Sequence, residues 1–295
     1  MLMSENLIDQ AEGLRRMAQP KPVQVIAVSS GKGGVGKTNV SVNLALSLAN
    51  NGKKVMIMDA DLGLANVDIM LGLRPTHNLS HVLSGERTLE EVIVEGPRGM
   101  KIIPAASGIK QMAELSPMEN AGVIRAFSEL NHDIDVLIID TAAGISDSVI
   151  AFAQASQEVV VVVCDEPASL TDAYALIKVL NTDCGVQQFR VLSNMTHSAQ
   201  EARELFNKLL AVSDRYLDAT LINMGTIPYD DNLRKAVKKQ RAVVDAYPRS
   251  RAAMAFKNLA LKADKWPRPD TATGHLEFFV ERLIRSQQGQ LESRL

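Results

Sequence analysis

The chain has 295 residues, of which 46% are hydrophobic and 22% charged, and this composition excludes a fully disordered protein. Lysine and arginine number 32 and aspartate and glutamate 34, so the formal net charge of −2 argues against polyanion binding over the whole surface. The two cysteines, Cys164 and Cys184, exclude a disulfide framework and any four-cysteine zinc or iron–sulfur site within one chain.

The first 22 residues are polar and end at Pro20 and Pro22. They contain early acidic residues and no apolar run of the length found in secretory signals. The longest apolar run of the chain, residues 159–164, is far shorter than the ~20 residues that span a bilayer. We therefore expect residues 1–22 to form a flexible segment ahead of the fold, and the protein to reside in the cytoplasm.

Short apolar runs rich in β-branched residues alternate along the chain with segments of helical periodicity. The runs predict strands at residues 23–30, 54–59, 100–105, 135–140, 158–164, 189–194 and 218–228. The periodicity predicts helices at 39–50, 116–130, 146–156, 169–182 and 198–212, and further helical structure after Pro228. Strands that are apolar throughout are buried on both faces, so we expect an α/β fold. Its mostly parallel β-sheet would be flanked by helices, in a single domain over residues 23–265.

A glycine-rich segment between the first predicted strand and helix fits the phosphate-loop pattern G-x-x-x-x-G-K-[ST]. Glycines let the main chain turn its N–H groups towards phosphate oxygens, and the helix N-terminus adds positive potential. Lys37 would contact the β- and γ-phosphates, and Thr38 would bind Mg²⁺. The predicted nucleotide-binding residues of this segment are Gly31, Lys32, Gly33, Gly34, Val35, Gly36, Lys37, Thr38 and Asn39.

Aspartates end two of the predicted strands. Asp59 follows the second strand and Asp140 the fourth. Ligands of open α/β sheets bind at the carboxyl ends of the strands, so both carboxylates are predicted to meet the Mg²⁺, directly or through its waters. The simpler explanation is that these aspartates only end strands.

The string GKGGVGKT, with Lys32 directly after its first glycine, resembles the deviant Walker A motif of the MinD/ParA class of P-loop ATPases. The resemblance covers roughly residues 22–265. It implies that Lys32 crosses a dimer interface to the partner subunit's nucleotide, that Asp61 orients the attacking water, and that residues 140–144 form switch II.

The resemblance also implies where the base binds and how the dimer is held. Asp172 would pair with the early lysine of the opposite subunit. The residues that would flank the adenine are Asn194, Pro228, Tyr229 and Asp230. Each of these residues also has a simpler explanation, such as an asparagine placed in a turn or a lysine placed in an exposed loop.

Three further strings, DLGLANVD, VVCDEPASLTDAYALIK and HLEFFVERL, resemble the flagellar-number regulator branch of this class, called FlhG or FleN. The N-terminal segment resembles the D-Q-A-x-x-L-R activator of the flagellar GTPase FlhF, on Asp9, Gln10, Ala11, Leu14 and Arg15. The alternative is an ordinary frayed terminal helix. The branch implies three partners: FlhF, a flagellar transcriptional activator and components of the flagellar switch ring.

Residues 266–274 read as a linker, and residues 275–285 as an amphipathic helix within a C-terminal region that spans 266–295. The apolar side of the helix consists of Leu276, Phe279, Val280, Leu283 and Ile284. Such a helix can lie in a membrane interface or pack on its own domain. The resemblance implies membrane targeting, so we expect the ATP-bound protein at the inner face of the cell membrane, at the cell pole.

Together these features predict a Mg²⁺-dependent ATPase that switches between an ADP-bound or nucleotide-free monomer and an ATP-bound, membrane-associated homodimer. By resemblance it regulates flagellar number and placement and stimulates FlhF. Two alternatives stay open: a partition-type ATPase that binds DNA or the nucleoid, and a scaffold with an inactive site. The best candidate for a DNA-binding surface is the basic run at residues 234–241, which is also typical of a solvent-exposed helix face, so no direct nucleic-acid partner is favoured.

Overall fold

The computed structural model describes residues 22–61, 66–104, 126–127, 134–267 and 279–284. Within these residues eight strands form one sheet. They are β1 (Gln24–Ser30), β2 (Val55–Ala60), β3 (Val94–Glu95), β4 (Lys101–Ile103), β5 (Val136–Ala143), β6 (Glu158–Val163), β7 (Gln188–Thr196) and β8 (Thr220–Pro228).

Ten helices accompany the sheet in the described part of the chain. They are α1 (Lys37–Asn50), α2 (Val67–Leu71), α3 (Leu79–Leu83), α4 (Leu89–Val92), α5 (Asp147–Ala155), α6 (Pro167–Thr182), α7 (Ala199–Tyr216), α8 (Asp231–Lys238), α9 (Val243–Ala246) and α10 (Arg251–Ala263). A short 3₁₀ turn, Pro97–Gly99, precedes β4. Residues 279–284 are also helical and are called the C-terminal helical segment below. None of the described helices is long and apolar enough to cross a membrane.

The strands follow the order β3-β4-β2-β5-β1-β6-β7-β8. All neighbouring strands run parallel except β3, which pairs antiparallel with β4. The predicted α/β fold with a mostly parallel sheet between helices is therefore confirmed. Most strand bounds agree with the prediction within two residues, but β5 extends three residues further, to Ala143, because its end pairs with the end of β1.

The region between β2 and β4 differs most from the prediction. It contains three helices of four or five residues and the short strand β3, none of which was predicted. Helices of this length do not complete two turns, so they leave no readable periodicity in the sequence. Most of the predicted helix at 116–130 and of the linker at 266–274 lies outside the described residues.

Alternate residues of β1 face two separate cores. Ile26 and Val28 of β1 pack with α1, α9 and α10 on one face of the sheet. Val25, on the same strand, packs on the opposite face, with residues of α3, α4 and α5. This period of two is what a strand buried on both faces requires.

The C-terminal helical segment belongs to the second of these cores. Phe279, Val280, Leu283 and Ile284 are between 0% and 4% exposed and cluster with Val25, and with β2 and β5 residues, under the sheet. Four of the five side chains predicted to contact membrane are thus packed inside the fold, which is the second of the two arrangements that the sequence left open. Their contact with a membrane stays a prediction. The fifth, Leu276, lies outside the described residues.

We predict that Phe279→Glu destabilises the fold, because a carboxylate cannot be hydrated in this apolar cluster. The free energy of unfolding should fall by about 3 kcal/mol, as for loss of a buried phenylalanine, which lowers Tm by about 6 °C or more in a chain of this size. Differential scanning calorimetry measures both. The matched control Phe279→Leu keeps the site apolar and should cost under about 1.5 kcal/mol. An unchanged Tm for the glutamate variant would contradict the packing.

Candidate functional site

Residues 31–36 connect the end of β1 to the start of α1 as a compact loop. Gly34 and Gly36 have φ of 82° and 89°, a left-handed conformation that costs glycine nothing and other residues a steric penalty. A Cβ on Gly31 would lie 2.0 Å from the main-chain carbon of Asp172, so no side chain fits there. Gly31, Gly34 and Gly36 are therefore required by the geometry of the loop, whereas a Cβ on Gly33 would only reach ordinary contact with Ala143, at 4.0 Å. The loop ends at a helix N-terminus, which favours anion binding.

Lys37 is the first residue of α1, and its side chain is almost completely buried. Burial lowers the pKa of its ammonium group, and the carboxylates of Asp140 and Asp61 partly oppose that shift. A buried cation between two carboxylates, at a helix N-terminus, is placed to bind the negative charge of a phosphate.

Asp140 lies fully buried near the end of β5, beside Lys37. Its carboxylate accepts hydrogen bonds from the hydroxyls of Ser41, at 2.8 Å, and Thr38. Burial raises the pKa of this carboxyl to about 7, although both hydrogen bonds oppose the change. A desolvated carboxylate next to a threonine hydroxyl offers the hard oxygen ligands that Mg²⁺ prefers. Ser41 was not predicted; its position one turn after Lys37 is the signal that could have identified it.

Asp59 is adjacent to Asp140 across the β2–β5 pair. Its Oδ1 accepts from the main-chain N–H of Asp61 at 3.1 Å, and its Oδ2 from those of Asn66 and Val67 at 3.0 and 3.2 Å. Burial raises the pKa of this carboxyl despite these three donors. The predicted contact of Asp59 with the metal, directly or through its waters, stays a prediction. Its two oxygens also have a structural role, because their hydrogen bonds tie Asp61 to the start of α2.

Lys32 pairs with Glu166 of the same chain, at the start of α6. The hydrogen bond to Glu166 raises the pKa of Lys32, and the charge of Asp172 has a smaller effect in the same direction. The acidic partner predicted for Lys32 was Asp172 of the opposite subunit, and no second subunit is present here. Within one chain the partner is Glu166, six residues earlier, because Asp172 lies within α6 with its main chain against Gly31.

An open cavity of about 470 Å³ adjoins the phosphate loop. All four residues predicted to flank the base line it: Asn194, Pro228, Tyr229 and Asp230. The ring of Tyr229 stacks on His197, with 5.2 Å between ring centroids. The structure thus brings together side chains from the ends of β7 and β8 at the mouth of one pocket.

Two of these side chains also have structural roles. The amide of Asn194 donates to the carbonyl of Val35 at 2.7 Å and so supports the phosphate loop. Asp230 accepts from the main-chain N–H groups of Asn232 and Ala252, and these bonds hold the pKa of its carboxyl below the usual value, although burial alone would raise it. Their part in binding a base stays a prediction.

Sequence reasoning missed the α8 side of this cavity. The lining residues that it did not identify are Met195, Leu233, Arg234, Val237 and Lys238. Leu233 and Val237 lie four residues apart, the spacing of one helix face, and this was the available signal. Asn39 lines the same cavity, and its Oδ1 is buried without a hydrogen-bond partner among the described residues. An unpaired acceptor at this position fits a cavity that holds a polar ligand.

A second cavity, of about 530 Å³, follows the phosphate loop towards Asp61, Asn66 and Ile69. Across the described residues, no group of three or more histidine, cysteine, aspartate or glutamate side chains could hold a metal by itself. A metal at this site would therefore share its ligands between the protein and a bound phosphate, as Mg²⁺ usually does. The predicted activator residues Asp9, Gln10, Ala11, Leu14 and Arg15 lie outside the described part of the chain.

Known proteins match the region that contains this site. A family model described as ParA, NUBPL iron-transfer P-loop NTPase, matches residues 21–263. Antiactivator FleN of Pseudomonas aeruginosa is 60% identical over 272 residues, which cover 92% of this chain and 97% of that protein. The flagellum site-determining protein YlxH of Helicobacter pylori is 31% identical over 86% of this chain and 89% of that protein.

A solved structure matches the same region. The septum site-determining protein MinD of Pyrococcus horikoshii, complexed with Mg-ADP, has a TM-score of 0.65 and 26% identity, over 82% of this chain and 96% of that one. That protein binds a magnesium nucleotide on the fold described here.

We predict that Lys37→Ala weakens ATP binding by about 100-fold, because it removes a charge-assisted contact to phosphate. Isothermal titration calorimetry measures the change. Thermal unfolding of the variant checks that the fold stays intact, because the substitution also leaves the buried Asp140 carboxylate without its neighbouring cation. Lys32→Ala serves as the control, because this exposed residue is predicted to act across a dimer interface and its loss should leave ATP binding by the monomer near wild type. Wild-type affinity of the Lys37 variant would contradict the assignment of the loop.

Proposed function

Because the chain belongs to the ParA family of P-loop NTPases, we propose that it is a MinD-like, Mg²⁺-dependent ATPase that regulates flagellar number and placement. The observation that carries the proposal is that the phosphate loop, Lys37 and Asp61 line one nucleotide-sized cleft. The buried carboxylate of Asp140 lies close enough to Lys37 to affect its pKa. Its flagellar role rests on the 60% identity to the antiactivator FleN over nearly the whole of both chains.

The residues of the cleft have different roles in ATP hydrolysis. The main-chain N–H groups of the phosphate loop bind the phosphates, and Lys37 adds a fixed positive charge beside them. Thr38 and Asp140 would hold Mg²⁺, and the bound ion would neutralise negative charge on the phosphates. Asp61, carried on the turn that Asp59 fixes, orients the water that attacks the γ-phosphate.

Lys32 is the residue that we propose couples ATP to dimerisation. In this chain it is tied to Glu166 by an exposed ion pair. Exposed ion pairs contribute little to stability, so a phosphate of the partner subunit's nucleotide can replace Glu166 as the anion beside Lys32. ATP would thus favour a homodimer in which each Lys32 leaves Glu166.

The dimer is proposed to act at the membrane through the C-terminal helical segment. One feature of the packed segment is unfavourable and would favour its release from the fold. Nε and Nη2 of Arg282 are buried without hydrogen-bond partners among the described residues. Burial lowers the pKa of this guanidinium, which signals an unfavourable environment for its charge. A released segment would place Arg282 in water and its apolar residues in lipid. The protein would then be cytoplasmic, and peripheral at the inner face of the membrane, at the pole, when ATP is bound.

The proposed partners follow from the flagellar branch. Residues 1–22 would stimulate the GTPase FlhF, with Gln10 as the residue that positions water. A flagellar transcriptional activator and switch-ring components would bind the dimer. The alternative, a partition-type ATPase, would use the exposed lysines of α8, although Arg241 and Lys239 of the same basic run already contact Asp245 and Tyr247.

We predict that Asp61→Ala binds ATP but hydrolyses it at least about 100-fold more slowly, because the attacking water is no longer oriented. The variant should therefore accumulate as an ATP-bound dimer, measured by size-exclusion chromatography with light scattering. The double variant Asp61→Ala, Lys32→Ala is the matched control and should remain a monomer with ATP. Normal turnover by the single variant, or a dimer of the double variant, would contradict these roles.

The same trapped dimer separates the two functional classes. It should sediment with liposomes only when ATP is present and should not sediment with DNA. The reverse result would establish the partition-type alternative. If the wild-type protein does not hydrolyse ATP, the proposed ATPase activity is wrong and the scaffold alternative is favoured.

We predict that deletion of residues 1–19 leaves ATP turnover near wild type, because none of the strands or site residues described above is removed. The deletion should abolish stimulation of FlhF, measured as GTP turnover by the GTPase. Gln10→Ala in the full chain should lower stimulated turnover more than it lowers binding, since a carboxamide can both accept from water and donate to phosphate. If the full chain does not accelerate GTP hydrolysis by FlhF, the activator role is wrong.

A further inference from the structure

Helix α8 ends in a turn that usually requires glycine. The N–H of Arg241 donates to the carbonyl of Ala236, and the N–H of Gln240 to that of Val237. This pair of hydrogen bonds defines the Schellman ending of a helix, in which the residue after the C-cap adopts a left-handed conformation. That residue here is Gln240, with φ of 53°.

A left-handed conformation is unfavourable for a residue with a Cβ, and glycine or asparagine normally occupies the position. The backbone at position 240 is therefore strained with glutamine, and it would not be strained with glycine. Such strain persists where the surroundings hold the residue in place, and it is concentrated at functional sites. Glycine would avoid the strain but would lack the side chain of Gln240. The contacts of this side chain therefore indicate why glutamine occupies the position.

The side chain of Gln240 reaches a distant part of the chain. Its Nε2 donates to the main-chain carbonyl of Ile69 at 3.0 Å, across 171 positions of sequence. Its Cβ lies 3.5 Å from where a Cβ on Gly72 would stand, so the two helix ends are in contact. Ile69 belongs to the last turn of α2, where carbonyl groups have no partner within the regular helix. Its carbonyl accepts hydrogen bonds from the N–H of Gly72 and from Gln240.

The two helices joined by this bond lie on different parts of the nucleotide cleft. α8 lines the cavity assigned to the base through Leu233, Arg234 and Val237. α2 follows directly after the turn that carries Asp61, and Asp59 holds its first N–H group. Gln240 and Ile69 both line the phosphate-side cavity, opposite the phosphate loop.

We propose that Gln240 is a positioning residue that couples the base-binding helix α8 to the γ-phosphate-sensing turn of Asp61, through its hydrogen bond to Ile69. A nucleoside diphosphate or triphosphate that orders α8 thereby also orders α2, and Asp61 is held in place before it meets the water. This inference rests on the proposed ATPase function. It assigns a role to a side chain that touches neither the reacting atoms nor the phosphate loop.

Three substitutions in the full chain test the coupling. Gln240→Gly removes the side chain and relieves the backbone strain, so Tm should stay the same or rise. Gln240→Glu keeps the size but presents a carboxylate that cannot donate to the Ile69 carbonyl. Gln240→Lys keeps a donor of comparable reach and is the rescue variant.

The first readout is kinetic. Gln240→Gly and Gln240→Glu should lower kcat for ATP by about three- to tenfold, the range expected for one lost hydrogen bond, and leave the Kd for ADP within about twofold of wild type. Gln240→Lys should lie closer to wild type. Wild-type kcat in the glycine and glutamate variants would overturn the proposal. So would a parallel loss of Tm, ADP affinity and kcat, because that pattern indicates a purely structural role.

The second readout is hydrogen exchange of residues 67–72 with and without saturating ADP. ADP should slow exchange there in the wild-type protein and in Gln240→Lys, but not in Gln240→Glu, while the phosphate loop is protected in all three. Equal protection of residues 67–72 in every variant, or none in the wild type, would overturn the coupling. Because this readout needs no hydrolysis, it still tests Gln240 if the wild-type protein proves to have no ATPase activity, a result that would refute the proposed function instead.

Discussion

The burial of two opposite charges, Lys37 and Asp140, at the carboxyl edge of the sheet is the constraint on which the rest of the site depends. Removing an ion from water costs on the order of several kcal/mol, which attraction between the two charges offsets only in part. The cost is visible in both groups, since burial lowers the pKa of Lys37 and raises that of Asp140 to about 7. A magnesium-bound phosphate would supply each group with a partner of opposite sign, so its binding would offset part of the cost of burying the two charges.

The sheet supplies the geometry for that constraint. Asp59 and Asp140 are register partners on neighbouring strands, so the turn after β2 and the loop after β1 meet at one edge. The hydrogen bonds of the two carboxylates differ. Asp59 accepts from main-chain N–H groups of Asp61, Asn66 and Val67, whereas Asp140 accepts from the Ser41 hydroxyl on α1. Two aspartates that look equivalent in the sequence thus join the site to different segments of the chain.

The fold and the phosphate end of the site could be predicted from the sequence because both rest on local signals. Continuous apolar runs identify buried parallel strands, and the positions of the glycines and Lys37 follow from the needs of a tight anion-binding loop. What could not be predicted depends on contacts between distant segments. Glu166 was missed because its pairing with Lys32 joins residues 134 positions apart. The sequence left two positions open for Phe279, a membrane interface or the domain itself, because an amphipathic stripe has the same pattern whether it faces lipid or a sheet.

The contacts proposed to change in the ATPase cycle differ greatly in strength, and this sets the order in which they can change. The Lys32–Glu166 pair is exposed, so a phosphate can displace it directly. The C-terminal helical segment buries four apolar side chains, worth about 1.5–3 kcal/mol each relative to exposure in water. A ligand shifts an equilibrium only by its differential affinity for the two states. The four packed side chains do not line either cavity assigned to the nucleotide, so ATP would not contact them directly. Release into water would therefore stay unfavourable even in a dimer. In a membrane interface the four side chains would again be buried in an apolar environment, and Arg282 would be hydrated. Lipid must therefore take part in the step that releases the segment. ATP would contribute by forming the dimer, which brings two such segments to the membrane and makes the attachment bivalent.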